Sequence, residues 1–459
     1  LHSSIQYEHW EVSIDEPILN DLFVNKNSSI QPWNPKEEGD TISISAWIAS
    51  IRICDRLLTH DKKRFEGLIN QKYDTIILDD QYNPCGLLLS SLSGSVFIYW
   101  SQSLLRPESA WSHHSPSPPS YIPVPGTKLT DTLSFYERSI NLAYYMRSLY
   151  IHQQIIQTRI DKMFQRHYPS VVSSFDMERN ASLNFINSPP IFDFARPFMP
   201  RVVFVGCIHC RKAQKLNKEI SSFIGDSQFM VASFGYESYL SKAPQNIRQM
   251  FFNALSSRSS IKFIVQYNGK GEIPSNVLTL PFIPLQDLLG NSQCIGHISH
   301  GGINSITESV WNAIPIIGIP LLYPSHDNLL RITARGCGLI VEKKDLSLHS
   351  LTRAIDSIQK KKYKDEMIVF QDMIRDVPYT ELDHATFWVE FIERHHEIPH
   401  ARSGADHLNI IQYFLIDVIV FIMSMVYIFA YIIFSILKFI IGLVSISKKN
   451  QSKKKNKKE

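Results

Sequence analysis

Five residues within one nine-residue stretch carry the clearest chemistry in this chain: His300, Gly301, Gly302, Asn304 and Glu308. Backbone N–H groups at a glycine turn, followed by a helix N-terminus bearing roughly half a positive charge, bind phosphate oxygens. Asn304 and Glu308 are four residues apart and so share one face of a helix. An amide there can meet phosphate, and a carboxylate can accept from ribose hydroxyls. The flanks supply the elements that such a turn needs. Cys294–Ser299 has strand composition, and His300-Gly301-Gly302 lets the backbone turn where a Cβ would obstruct it. Ile303, Ile306, Val310 and Ile314 recur at helical steps until Pro315 forbids continuation, and Pro315–Pro320 reads as a second short strand. Similar turns occur in α/β proteins that bind no nucleotide, so spacing alone leaves both readings open.

A second candidate is Asp80, which with Asp79 ends the strand-like run Thr75–Leu78, ahead of Pro84-Cys85-Gly86 and an apolar helical run to Leu92. A carboxylate at the carboxyl end of a strand lies at the rim where α/β proteins do chemistry, or else caps the following helix. Cys207 and Cys210 bracket His209 at the spacing of a zinc or redox pair, but no second pair of ligands stands nearby at metal spacing, and no metal is expected. His395, His396 and His400 read as a solvated helix end.

The elements around these residues fill a chain too long for one hydrophobic core, at 459 residues. The formal charge of +4 is misleading, because residues 438–459 carry eight Lys and one Glu, which leaves −3 for residues 1–437. Nothing there points to nucleic acid. Six cysteines do not make a disulfide framework in a chain of this length, and their pairing stays open. Residues 1–70 are poorly patterned, with a helix-like segment over Ile42–Ile69, and Phe135–Tyr168 is a long aromatic-rich helical region. Four prolines between Pro189 and Pro200 mark a linker. Strands at Phe229–Phe234 and Ile261–Tyr267 alternate with a helix at Gln245–Ser257 and lead into the glycine turn, a pattern that argues a doubly wound parallel sheet. Val418–Leu437 holds 20 residues without a charge, enough helix to cross a bilayer core of about 30 Å, and the lysines after it place the tail in the cytosol. The globular part is then lumenal, where the sequons at Asn27 and Asn180 could be glycosylated. Leu1–Asn20 has neither the basic nor the apolar region of a signal peptide, so a further N-terminal segment is expected for an exported chain.

Phe282-Ile283-Pro284, Asp287-Leu288-Leu289-Gly290, Ser299-His300-Gly301-Gly302, Asn304, Glu308, Gly318-Ile319-Pro320-Leu321 and His326-Asp327-Asn328 together resemble the signature of the UDP-glycosyltransferases, specifically the animal membrane-bound UDP-glucuronosyltransferases. Asp80 with Pro84-Cys85-Gly86, and Pro119–Pro123, resemble further landmarks of that family. The resemblance implies the α/β GT-B fold, with two Rossmann-like domains and a C-terminal transmembrane helix. The expected boundaries are 1–188 for the acceptor-binding domain, 189–200 for the linker and 201–378 for the UDP-sugar domain. Helices over 379–410 should return to the first domain, followed by the transmembrane helix at 411–438 and a cytoplasmic tail at 439–459.

By the same resemblance, Phe282, Ser299, His300, Gly301, Gly302, Asn304, Ser305 and Glu308 would bind UDP, with Phe282 stacked on uracil in place of a tryptophan. Asp80 would orient a base histidine that activates the hydroxyl of a small lipophilic acceptor, and UDP would leave with inversion at the sugar. No cofactor is implied beyond the UDP-sugar as co-substrate. Lys455 and Lys457 resemble a dilysine retrieval signal of the endoplasmic reticulum. Four departures accompany this likeness. No matching base histidine is found, Pro324-Ser325 stands where the family grips sugar with Asp-Gln, Leu285 replaces a glutamine, and Tyr236 replaces a serine. Two functions therefore stand side by side: transfer of glucuronate or glucose to an acceptor, or a catalytically impaired, membrane-anchored homologue that associates with active family members.

Overall fold

The structure is a computed structural model that describes residues 32–34, 44–236 and 238–455; Asn27 and Lys457 lie outside the described residues. The described residues up to Ala401 form one compact unit, built on two parallel sheets. In the first, β1 (Thr75–Asp79), β2 (Val96–Ser101), β3 (Leu183–Ile186) and β4 (Val202–Phe204) lie in the order β1-β2-β3-β4. Parallel neighbours need crossovers, and the helix Pro84–Ser93 makes the first of them. It starts where the sequence provides for it, with Pro84 in the first turn and the Asn83 side chain accepting from the Gly86 N–H. A disulfide between Cys54 and Cys85 ties this helix to the helix Ile44–His60.

The expected boundary at 201 falls one strand early. Val202–Phe204 pairs with Asn184–Ile186, so β4 completes the first sheet. Trp33 departs from its expected domain in the other direction. It is buried against Phe234 with ring centroids 5.1 Å apart, and its indole N–H donates to the Ser238 carbonyl, which places it in the core of the second sheet. The helix Glu381–His395 packs Ala385 and Ile392 with Ile98, Leu183, Phe185 and Val203 of the first sheet.

The second sheet comprises β5 (Phe229–Ser233), β6 (Lys262–Gln266), β7 (Val277–Leu280), β8 (Cys294–Ser299), β9 (Ile316–Gly318) and β10 (Gly338–Ile340). Their order is β10-β9-β8-β5-β6-β7, so the winding reverses between β5 and β8. Phe229, Met230, Val231, Phe263, Ile264, Val265 and Ile298 are buried, as expected of strands covered on both faces. Each such side chain contributes about 1.5–3 kcal/mol by leaving water. Two helices absent from the sequence reading frame the site: the short Leu285–Leu289 and Tyr323–Ala334, which has Pro324 in its first turn.

Residues 402–459 form a second compact unit. Within it the helix Ile416–Lys455 has an apolar stretch from Ile416 to Ile446, with a mean hydropathy of 2.5. It is long and apolar enough to cross a membrane, and it runs past the expected end at Lys438. Lys455 is the last residue of that helix.

Candidate functional site

Open parallel sheets bind ligands outside the carboxyl ends of their strands, at the point where the winding reverses. Here that point lies between Ser233 and Ser299, which are register partners on β5 and β8. Both strands turn out of the sheet through glycine, at Gly235 with φ +66° and at Gly301 with φ +98°. The His300 ring fits between Gly235 and Gly302 because neither carries a Cβ. A Cβ on Gly235 would lie 3.0 Å from His300 Cε1, and one on Gly302 would lie 2.8 Å from Nε2. Burial pushes the His300 pKa down to about 4, against a smaller opposing effect of the Ser233 backbone. The ring is therefore neutral at ordinary pH and has one N–H to give.

His297, one turn of the pleat earlier, lies 2.7 Å from the Ser233 hydroxyl and 2.7 Å from that of Ser309. Burial, followed by the His300 charge, lowers its pKa to about 3. It is a satisfied core histidine. After the turn the helix Ile303–Trp311 begins at Gly302 with no side-chain cap, and its first internal bond runs from the Ile306 N–H to the Gly302 carbonyl. The N–H groups of Ile303, Asn304 and Ser305 lie in the first turn, where no intrahelical acceptor precedes them, as at phosphate-binding helix starts. Asn328 donates to the Gly301 carbonyl at 3.0 Å and fixes the turn from the side of the helix Tyr323–Ala334.

Asn304 is exposed, and its side-chain oxygen accepts from Asn187 at 2.9 Å, which links this helix to the chain leaving β3. Ser305 is half-buried beside it. Glu308 is 9% exposed and pairs with His209 Nε2 at 3.0 Å. Phe282 is 65% exposed, presenting a ring face to solvent at the head of the segment that leads into Leu285–Leu289. Ser299 is buried and accepts from the Gly301 N–H at 3.2 Å, which makes it a support for the turn.

The four departing residues lie at different depths. Pro324 is exposed, whereas Ser325 is buried and packs on the turn, so that a Cβ at Gly301 would come within 2.7 Å of its carbonyl oxygen. Tyr236 is exposed and set edge-on to Tyr239. Leu285 is half-buried against the core with Ile283, Leu288 and Leu289.

Asp80 occupies the carboxyl end of the first sheet, beyond β1. Its Oδ2 accepts from Arg106 Nη2 at 2.8 Å, and its Oδ1 is buried without a hydrogen-bond partner among the described residues. Burial raises its pKa to about 6, against the opposing Arg106 charge and the Ser101 hydroxyl. Arg106 also binds Glu108 at 2.9 Å. A polar cavity of about 20 Å³, room for roughly one water, is lined by these residues with His113, His152 and Glu178. His152 pairs with Glu178 at 3.4 Å, and His113 Nδ1 lies 2.9 Å from the Ser109 carbonyl. The Asn180 sequon ends the helix Ser174–Arg179 with Asn180 exposed.

The profile of the family described as UDP-glucoronosyl and UDP-glucosyl transferase matches residues 3–451. The chain belongs to that family. It is 32% identical to human UDP-glucuronosyltransferase 2B15 over 408 residues, covering 86% of this chain and 75% of the relative. It is 29% identical to mouse UDP-glucuronosyltransferase 1A7, covering 83% and 72%. Among solved structures, a UDP-glucosyltransferase from Polygonum tinctorium capable of glucosylating indoxyl superposes with a TM-score of 0.54 at 16% identity, over 78% of this chain and 84% of that one. Medicago truncatula UGT71G1 complexed with UDP-glucose gives 0.51 at 14% identity over the same shares. The calicheamicin glycosyltransferase CalG4 gives 0.53 at 12% identity, over 78% and 83%. The two-sheet architecture is thus that of a GT-B glycosyltransferase.

Within this UDP-glycosyltransferase His300, Gly301, Gly302, Asn304, Ser305 and Glu308 lie on the turn and helix at the switch point. Three partners were not legible: Asn187 on Asn304, His209 on Glu308 and Arg106 on Asp80. The one available signal was the Cys207–Cys210 bracket around His209, which is a disulfide in the structure.

Proposed function

We propose that this UDP-glycosyltransferase moves glucuronate or glucose from a UDP-sugar to the hydroxyl of a small lipophilic acceptor, with inversion at the anomeric carbon. The observation that carries this reading is the uncapped helix at the switch point, with neutral His300 on one side and Glu308 on its face. In this reading Phe282 stacks on uracil, Glu308 accepts from the ribose, and the N–H groups after Gly302 receive the diphosphate. The acceptor's hydroxyl proton passes to a general base as its oxygen bonds to the anomeric carbon from the face opposite UDP, and the bond from that carbon to UDP breaks with the electron pair leaving on UDP. Charge building on the leaving diphosphate is met by the helix N-terminus and the His300 N–H, and such preorganised donors are typically worth about 3–4 kcal/mol. Asp80 serves the acceptor side, where its buried Oδ1, without a close hydrogen-bond partner among the described residues, suits the N–H of a base imidazole.

The globular unit is assigned to the lumen of the endoplasmic reticulum and the lysine-rich end to the cytosol. Supporting this are the apolar helix, the lysines beyond it and the disulfide Cys54–Cys85, which belongs to an oxidising compartment. The second reading, a non-transferring homologue, is favoured by Pro324 and by the engagement of Asp80 with Arg106. Membranes bearing the full chain, given UDP-glucuronate or UDP-glucose and a panel of phenols and hydroxylated lipids, distinguish the two. Product glycosides of inverted anomeric configuration are expected. UDP binding without any product would establish the second reading.

A further inference from the structure

We propose that His209 is a positioning residue of the donor site, one that aims the Glu308 carboxylate at the ribose and is itself held in place by the Cys207–Cys210 disulfide. The inference rests on the reading that Glu308 accepts hydrogen bonds from ribose hydroxyls.

Glu308 is almost buried, and a carboxylate removed from water needs a donor. His209 Nε2 supplies one at 3.0 Å from Oε1, across 99 residues of sequence. A carboxylate has two oxygens and about four acceptor directions, so an imidazole on Oε1 leaves Oε2 for the sugar. The pairing is thus compatible with a bound nucleotide, and it removes the freedom of Glu308 to rotate away from it.

His209 is in turn immobilised from several sides. The Cys210 N–H donates to the Cys207 carbonyl at 2.8 Å, and the disulfide closes the same four-residue turn. Cys207 adopts a φ of +68°, unusual for a residue with a Cβ. Gly206, just before it, lies so close to the Ser188 backbone that a Cβ would come within 2.3 Å. On the far side, Gln286 donates to the His209 carbonyl at 3.1 Å and accepts from the Arg211 N–H at 2.9 Å. Arg211 then grips both oxygens of Asp287, at 2.7 and 3.2 Å. The turn is therefore fastened to Leu285–Leu289, the helix that follows Phe282, and its histidine reaches the helix that follows the glycines. One small loop thereby couples the uracil end of the site to the ribose end.

The probes are UDP and its 2′,3′-dideoxy analogue, and the readout is the ratio of their dissociation constants for the detergent-solubilised full chain. A residue needed only for folding shifts both constants together, whereas a residue that aims Glu308 shifts the ratio. The wild type should prefer UDP, and His209→Ala should lower that preference about five- to tenfold while leaving the dideoxy affinity unchanged. His209→Gln, which retains an N–H donor, should restore most of it. Replacing Cys207 and Cys210 together by Ala should lower the preference in the same direction by a smaller factor. In turnover, His209→Ala should raise KM for the UDP-sugar and spare kcat. If His209→Ala leaves the preference intact while Glu308→Ala abolishes it, the positioning role is wrong. If His209→Ala tightens UDP, the histidine competes with the ribose and the proposal is overturned. If Glu308→Ala preserves the preference, the ribose reading itself falls and takes the inference with it.

Discussion

The two sheets bury titratable groups in opposite ways. Beyond the second sheet, His297 and His300 are stripped of charge and held by hydroxyls and glycines, beside an uncapped helix N-terminus. Beyond the first sheet, Asp80, Arg106, Glu108, His152 and Glu178 crowd one small cavity in mutual ion pairs. A neutral, backbone-built site is ready for an anion before the anion arrives. A charge-locked cluster has to break a pair, or gain a partner, before any member of it can act. On the proposed reading, nucleotide binding belongs to the second sheet and the chemistry-limiting reorganisation lies beside the first.

The largest expected effect tests that division directly. Asp80→Asn should cut transfer by about 100- to 10,000-fold, the range of a disabled acid–base device, and leave UDP affinity unchanged. Parallel measurement of kcat and of UDP binding checks it. Near-normal turnover would reduce Asp80 to a structural partner of Arg106, and the contrast between the sheets would lose its functional meaning.

Gly302→Ala should affect the opposite property. The added Cβ would lie 2.8 Å from His300 Nε2, so the ring must shift at the turn proposed to receive the diphosphate. UDP should bind about tenfold more weakly, through loss of an oriented donor and partial obstruction of the helix N-terminus. Calorimetry with UDP reads this, and unchanged affinity would show that the diphosphate does not use this end of the helix.

What the sequence could show follows the same line. The run from Cys294 to Gly318 was legible because strand, glycine turn, helix and proline stop are each local signals, and each element forms where the pattern puts it. The helix Tyr323–Ala334 is less legible, because its only local start signal is Pro324 in the first turn and no side chain caps it. Val202–Phe204 joins the first sheet beside Asn184–Ile186, and three apolar residues after a proline-rich linker do not encode which edge they join. Arg106 on Asp80 and His209 on Glu308 join residues 26 and 99 positions apart, and no periodicity encodes such pairs.

The two burial styles also predict opposite pH responses. Folded His297 and His300 titrate near 3 and 4, whereas unfolded histidine titrates near 6.5. Their contribution is present above pH 6.5 and is lost as pH falls, because only the unfolded chain then takes up protons. Asp80 titrates near 6 when folded and near 3.8 when unfolded, so its contribution is complete below 3.8 and is lost as pH rises toward 6. Between pH 4 and 6 two histidines oppose one aspartate, and these groups give a net loss of about 1.4 kcal/mol for each unit of acidification. Asp80→Asn removes the opposing limb and should steepen the slope of unfolding free energy against pH by about the same amount. Urea titrations at several pH values read it, and an unaltered slope would mean that folded Asp80 stays ionised beside Arg106.

The smallest expected effect sharpens the comparison within the second sheet, between its nucleotide end and its sugar end. Pro324 is exposed in the first turn of Tyr323–Ala334, a helix with no side-chain cap, whereas Ser325 packs beneath it on Gly301. Pro324→Asp can therefore be made without disturbing the glycine turn. A carboxylate in a first turn is favourable by about 0.3–1 kcal/mol, so the variant should melt slightly higher than the parent. The same carboxylate offers sugar hydroxyls an acceptor that proline lacks, and one added hydrogen bond of about 0.5–1.5 kcal/mol should tighten UDP-glucose about two- to tenfold while leaving UDP unchanged. Competition binding of the two ligands gives that ratio. Equal tightening of both would assign the gain to charge at the helix end, whereas no tightening of either would mean that the sugar is gripped from elsewhere, away from Pro324.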